Sequence, residues 1–198
     1  MATDNDTHVI ATVLSGVDDA VGVPKRKWFV AIVNARHEKL VANKLEGLGI
    51  EAYVATQQEL KLWKNGKRKL IDHVIIPSIV FIKCSEKERR QIVSFPFIYR
   101  FMVNRTAASG TLNKPVAVIT DKEIDKLKFM LGQSDYPVNF KPISFKTKDN
   151  VRVIRGSLTG LVGEIAKDSD GLHTLTILIE PLGYAQINIR PQDVELIR

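Results

Sequence analysis

The last quarter of the chain has no helical period at all. Five short β-branched runs follow one another there: Val151–Ile154, Leu161–Ala166, Thr174–Ile179, Ala185–Ile189 and Val194–Ile197. Turn signals separate them at Gly156, Asp170-Gly171, Pro181–Gly183 and Pro191. Short strands at this spacing predict a small all-β barrel over residues 148–198. A module of that size buries little core and has modest stability alone. From Gly132 to Lys148 neither period persists, and Pro137 and Pro142 interrupt the segment, so residues 132–147 read as a linker. Two domains are therefore expected.

The first domain mixes both periods. Lys27–Val33 is aromatic and β-branched, the pattern of a buried strand. Asn34 is a candidate helix cap, and Val41, Leu45 and Leu48 form one apolar stripe within Arg36–Leu48. Ile50–Ala55 reads as a strand. Asn65-Gly66 between two strand-like runs predicts a hairpin with a tight type I′ turn. Ile79–Lys83, Ile98–Val103 and Pro115–Ile119 read as further strands, and Glu86–Phe95 as a helix that Pro96 breaks. Thr120 through Glu123 matches a capping box, with Ile124, Leu127 and Leu131 on the face of the helix it starts. The order β-α-β-β-β-α-β-β-α over residues 25–131 predicts an α+β fold, helices against an antiparallel sheet.

Charge divides the chain differently. Residues 1–24 hold four acids (Asp4, Asp6, Asp18, Asp19) and no Lys or Arg, and read as a flexible acidic tail. Residues 25–147 carry a net +12 and residues 148–198 a net −1, within a total of +7. A basic segment of this kind attracts a polyanion, nucleic acid above all. No run reaches the roughly 18 apolar residues of a membrane span. The acidic start, without a basic n-region, does not match a secretory signal, which leaves the cytoplasm as the expected compartment. Catalytic readings find little support. His8, His37, His73 and His173 lack metal-ligand spacing, Cys84 reads as a buried structural thiol, and no phosphate loop or nucleophile elbow is present. Neither an enzyme nor a cofactor is expected.

Three patches resemble the NusG family of transcription elongation factors. Trp28–Val30 (W-F-V) with Arg36–Lys39 (R-H-E-K) is similar to the opening strand and helix of the family's N-terminal (NGN) domain. Ile75–Ile82 (I-I-P-S-I-V-F-I) is similar to its Pro-Gly-Tyr-Val-Phe strand, with Ser78 and Ile79 where the family often has Gly and Tyr. Asn104 likewise stands where an aromatic or Gly is common. Val151–Ile165 resembles a KOW motif, with Gly156, Gly160 and Gly163 in place. The R-H-E-K and Leu182–Ala185 (L-G-Y-A) stretches resemble the specialised UpxY-like antiterminators of Bacteroidetes.

The resemblance implies a monomeric transcription antitermination and processivity factor. It implies an apolar pocket that docks onto the clamp helices of the largest RNA polymerase subunit. Ile79 and Phe81 share one face by strand alternation, and Ile32 and Phe101 are candidates to join them. Arg36, Lys39, Asn43 and Lys44 on the first helix are candidates to hold non-template DNA or nascent RNA. Trp63, Lys64, Lys67 and Arg68 at the hairpin tip combine stacking with phosphate contacts. In the KOW module the three glycines are read as permitting tight turns and positive φ. The family's KOW loops imply a ribosomal protein, a termination factor or RNA as partner. The expected targets are long operons such as those for surface or capsular polysaccharide. The alternatives are a housekeeping factor that couples polymerase to the ribosome or to termination factor, and an RNA-binding, ribosome-associated KOW protein.

Overall fold

The computed structural model describes residues 24–64, 66–104, 114–141, 149–167 and 173–197. The expected acidic tail, Asn65 and the expected Asp170-Gly171 turn lie outside these residues, apart from Pro24, as does the stretch 107–113 that the sequence pattern reads as a loop. The first sheet is antiparallel. Its central strand β1 (Lys27–Ile32) lies between β5 (Ile79–Cys84) and β6 (Arg100–Phe101), and β2 (Glu51–Tyr53) pairs with the far side of β5. A short β7 (Val118–Ile119) also pairs with β1. Helices α1 (Glu38–Gly47) and α2 (Glu86–Ile92) follow β1 and β5.

The register fixes the two faces of this sheet. Ile32 lies opposite Ile79, Val30 opposite Phe81 and Trp28 opposite Lys83. Residues directly opposite in an antiparallel pair share a face, so these six line one side, with Tyr53 opposite Phe81 on β2. The other side carries Phe29, Ala31, Val80, Ile82 and Cys84. It packs with Val41 and Leu45 of α1, Ile92 of α2, and Phe95 and Ile98 into one buried core. Burying branched and aromatic side chains drives this packing at roughly 1.5–3 kcal/mol each.

Four strands rather than three separate α1 from α2, because β3 (Thr56–Leu62) and β4 (Arg68–Val74) form a two-stranded hairpin of their own. The second large sheet is six-stranded and antiparallel, in the order β13 (Val194–Leu196), β9 (Asp149–Val153), β10 (Val162–Lys167), β11 (His173–Ile179), β12 (Gly183–Asn188), β8 (Asn139–Lys141). Helix α3 (Asp121–Gln133) precedes it and carries the expected capping box, Thr120 with Glu123.

The described residues divide into two compact units. One comprises 24–54, 78–104 and 114–118; the other comprises 55–64, 66–77, 119–141, 149–167 and 173–197. The hairpin and α3 thus group with the C-terminal sheet, whereas the sequence pattern drew a boundary at residue 131. Three hydrogen bonds tie these segments together. Gln57 Nε2 donates to Tyr136 O (2.9 Å) and Val138 N donates to Gln57 Oε1 (2.8 Å). Glu180 N donates to Glu123 Oε1 (3.1 Å). The segment expected to be a linker is therefore ordered in part: α3 runs on to Gln133, and β8 pairs with β12.

Candidate partner and nucleic-acid interfaces

The turn into β5 sets up the apolar face. Ser78 has φ 63, a left-handed backbone. Its N–H donates to Glu38 Oε1 at 2.6 Å, and its carbonyl accepts from Val33 N at 2.9 Å. Glu38 is only 3% exposed. This acid, singled out by no sequence pattern, ties the start of α1 to the turn that delivers Ile79. Ile79 and Phe81 then share a face with half-buried Ile32. Phe81 itself is 0% exposed and stacked on Tyr53, with ring centroids 5.9 Å apart. It backs the face from within, and Ile79 is only 7% exposed, which leaves Ile32 as the most open of the three.

Phe101 does not join that face. It pairs with Ala31, whose side chain belongs to the opposite face. There it meets Phe29 edge-on at 6.1 Å, and the Arg89 guanidinium lies over both rings. No local pattern sets the phase of β6 relative to β1, and two residues of strand are too few to reveal one. Phe101 is a core residue under α2. The Arg89 guanidinium donates two hydrogen bonds to the Glu86 carboxylate, which holds that carboxyl down to about 2. Burial pushes the Tyr53 hydroxyl and the Cys84 thiol up to about 12.

The first helix begins later than Asn34 would cap it. His37 holds the cap position and α1 starts at Glu38. Arg36 lies in the preceding turn with φ 68 and is not on the helix. Lys39, Asn43 and Lys44 are on α1 and exposed, and Lys44 Nζ sits 5.2 Å from the Phe97 ring centre.

The hairpin is solvent-exposed from Gln58 to Lys64 and from Gly66 to Leu70. Lys61 stands directly opposite Lys69 on one face; Leu60 opposite Leu70 and Leu62 opposite Arg68 lie on the other. The basic set is thus split between two faces, and the leucines are unexpectedly open, at 56–67% exposure. At the tip Gly66 N donates to Trp63 O and Trp63 N to Lys67 O, each at 2.9 Å. The turn therefore runs Trp63–Gly66, with Gly66 last at φ 74; the expected two-residue I′ turn is replaced. Trp63, Lys64 and Lys67 are all exposed there.

In the C-terminal sheet Gly156 and Gly160 have φ 86 and 91, as the tight loop after β9 demands. Gly163 has a different reason. A Cβ there would lie 2.5 Å from the Thr176 carbonyl, so only glycine admits the close approach of β11.

One unit thus carries an antiparallel sheet with two helices on one face, and the other carries an exposed basic hairpin. The sequence from residue 26 to 128 matches the family model described as transcription termination factor NusG. The chain belongs to the NusG family of transcription factors. Among solved structures it is similar to NusG of Thermotoga maritima, from work on its domain interaction. That match has 19% identity and a TM-score of 0.43, over 88% of this chain and 98% of the other. It is also similar to a chain of the MjSpt4:Spt5 complex in conformation B, at 14% identity and a TM-score of 0.25, over 86% and 96%. No curated protein sequence matches the chain. No helix among the described residues is long and apolar enough to cross a membrane.

Proposed function

We propose that this protein is a transcription antitermination and processivity factor that binds RNA polymerase and suppresses pausing and termination. The observation that carries this reading is the family match over residues 26–128, which contains the whole first sheet and the hairpin. The polymerase surface is the open edge of that face at half-buried Ile32, with buried Ile79 and Phe81 as its inner wall. The clamp helices of the largest subunit would lay an apolar side into it. Residues 25–131 act as the NGN domain and residues 148–198 as the KOW module, which recruits a ribosomal protein or termination factor. Arg36, Lys39, Asn43 and Lys44, with Trp63, Lys64, Lys67 and Arg68 at the hairpin, hold the exposed non-template strand or nascent RNA. The R-H-E-K and L-G-Y-A stretches favour service to dedicated long operons, such as those for surface polysaccharide.

The test is binding of full-length protein to core RNA polymerase. Ile32→Asp is the diagnostic variant, because Ile32 is only half-buried, whereas a charge at Phe81 would unfold the sheet. Folding of the variant is checked by its thermal melt. Wild-type binding at micromolar concentration, lost at least tenfold in folded Ile32→Asp, supports the reading. Absence of wild-type binding refutes it.

A further inference from the structure

The second unit holds a cavity of about 470 Å³ that the reading above does not use. This lies within the ordinary range of small-ligand sites. It opens between the segment after α3 and the loops at one end of the C-terminal sheet. Its apolar lining comes from Val153, Leu158 and Ile187, which are 1%, 6% and 2% exposed.

Tyr136 also lines it, and its backbone is held three times. Ser134 Oγ donates to Tyr136 O (2.7 Å) and accepts from Tyr136 N (3.2 Å), while Gln57 Nε2 donates to the same carbonyl (2.9 Å). Yet Tyr136 is 59% exposed. A fixed backbone that carries an open aromatic side chain is a prepared stacking platform.

Arg155 and Arg190 complete the lining. The loops that bear them are joined. Ile154 N donates to Asp193 O (2.8 Å), and Asp193 N donates back to Arg190 O (3.0 Å). Arg152 nearby is spent on Glu195, at 3.5 Å, but neither Arg155 nor Arg190 makes an ion pair among the described residues. Two guanidiniums on cross-tied loops suit a phosphate. Asp135 and Asp193, also in the lining, repel phosphate but accept hydrogen bonds from base amino groups. The near-neutral net charge of residues 148–198 conceals this local separation.

We propose that this cavity receives one nucleotide of a single-stranded nucleic acid, its base stacked on Tyr136 and its phosphate held by Arg155 and Arg190. Gln57 is a positioning residue for the platform. The site is distinct from the basic hairpin tip, so it gives the C-terminal sheet a hold on the strand of its own.

The test uses full-length ¹⁵N-labelled protein with 5′-AMP, and then with a ten-nucleotide RNA and the DNA of the same sequence. Amide shifts at residues 135–136, 155–158 and 187–190 are expected with all three probes; the tighter of the two oligonucleotides identifies the strand. Affinities are then measured in a Lys64→Gln/Lys67→Gln/Arg68→Gln background, which removes the hairpin contribution. There Tyr136→Ala should weaken oligonucleotide binding about tenfold. Arg155→Gln with Arg190→Gln should lower the slope of log affinity against log salt by about 0.7, the value for one phosphate on a single strand. All three side chains are exposed, and retained spectral dispersion verifies folding. No shifts at these amides, or unchanged affinity in folded Tyr136→Ala, overturns the proposal. No polymerase is present, so that failure is distinguishable from failure of the polymerase reading.

Discussion

Ser78 occupies a backbone region that costs a side chain-bearing residue roughly 1–2 kcal/mol. Its φ of 63 is that of a glycine site, and Glu38 compensates by accepting the Ser78 N–H. The family resemblance placed Gly at this position, and the structure supplies the physical reason. Ser78→Gly should therefore leave the protein as stable as wild type or up to about 1 kcal/mol more stable, the strain relieved exceeding glycine's extra unfolded-state entropy. Ser78→Val should cost at least 1–2 kcal/mol, because a β-branched residue tolerates this φ worst. Urea denaturation of both variants measures the difference, and Ser78→Gly coming out less stable than Ser78→Val would sink the account. Gly163 shows the other limit on residue-level reading. Its type marks a constraint, but the constraint is the Thr176 carbonyl across the sheet, which no local pattern reveals.

At the scale of elements, legibility followed from how much of the determining chemistry was local. Capping boxes are local: Thr120 with Glu123 forms as expected, and Ser85 with Glu88 forms a second one beyond those expected. The strand–helix alternation of the first sheet was likewise readable, because β1 and β5 are long enough to show their period. What failed depended on distant partners. The side of the sheet that Phe101 takes is set by pairing with Ala31. Leu60, Leu62 and Leu70 look like a core stripe by alternation, yet their hairpin has no third strand among the described residues to cover them. Helix α2 offers a test by pH. Hydrogen bonding from Arg89 holds the Glu86 carboxyl down to about 2. A folded value below the unfolded one makes the contribution complete above about pH 4.5 and lost as pH falls toward 2. Glu86→Gln removes the titrating group. Its melting temperature should therefore fall less steeply than that of wild type between pH 5 and 2.5, while α2, still capped by Ser85, remains formed. Parallel slopes for the two proteins would show that the ion pair contributes no pH-dependent stability. The effect will be small, because Glu86 is half exposed and solvent screens the pair.

Across the whole molecule the division of charge is the feature read most directly from the sequence, since long-range electrostatics needs no fold. The basic middle of the chain supplies the hairpin and α1, where Lys39, Lys44, Lys61, Lys64, Lys67, Arg68 and Lys69 are all exposed. The first 23 residues bring four carboxylates and no Lys or Arg to the same molecule. At low salt those carboxylates oppose any polyanion that approaches the basic surface, whatever their location, within a Debye length of about 10 Å at 0.1 M. Removing residues 2–23 takes the net charge from +7 to +11. Affinity for single-stranded DNA at 50 mM salt should then rise severalfold. The gain should shrink steadily with salt and vanish by about 1 M, where the Debye length is near 3 Å. Fluorescence anisotropy titrations at four salt concentrations measure this. A gain that persists unchanged at 1 M would mean that the segment acts by covering the surface and not by its field. No gain at any salt would mean that the bound strand lies beyond the reach of those carboxylates, and that the hairpin's +5 tip binds as though the acidic residues were absent.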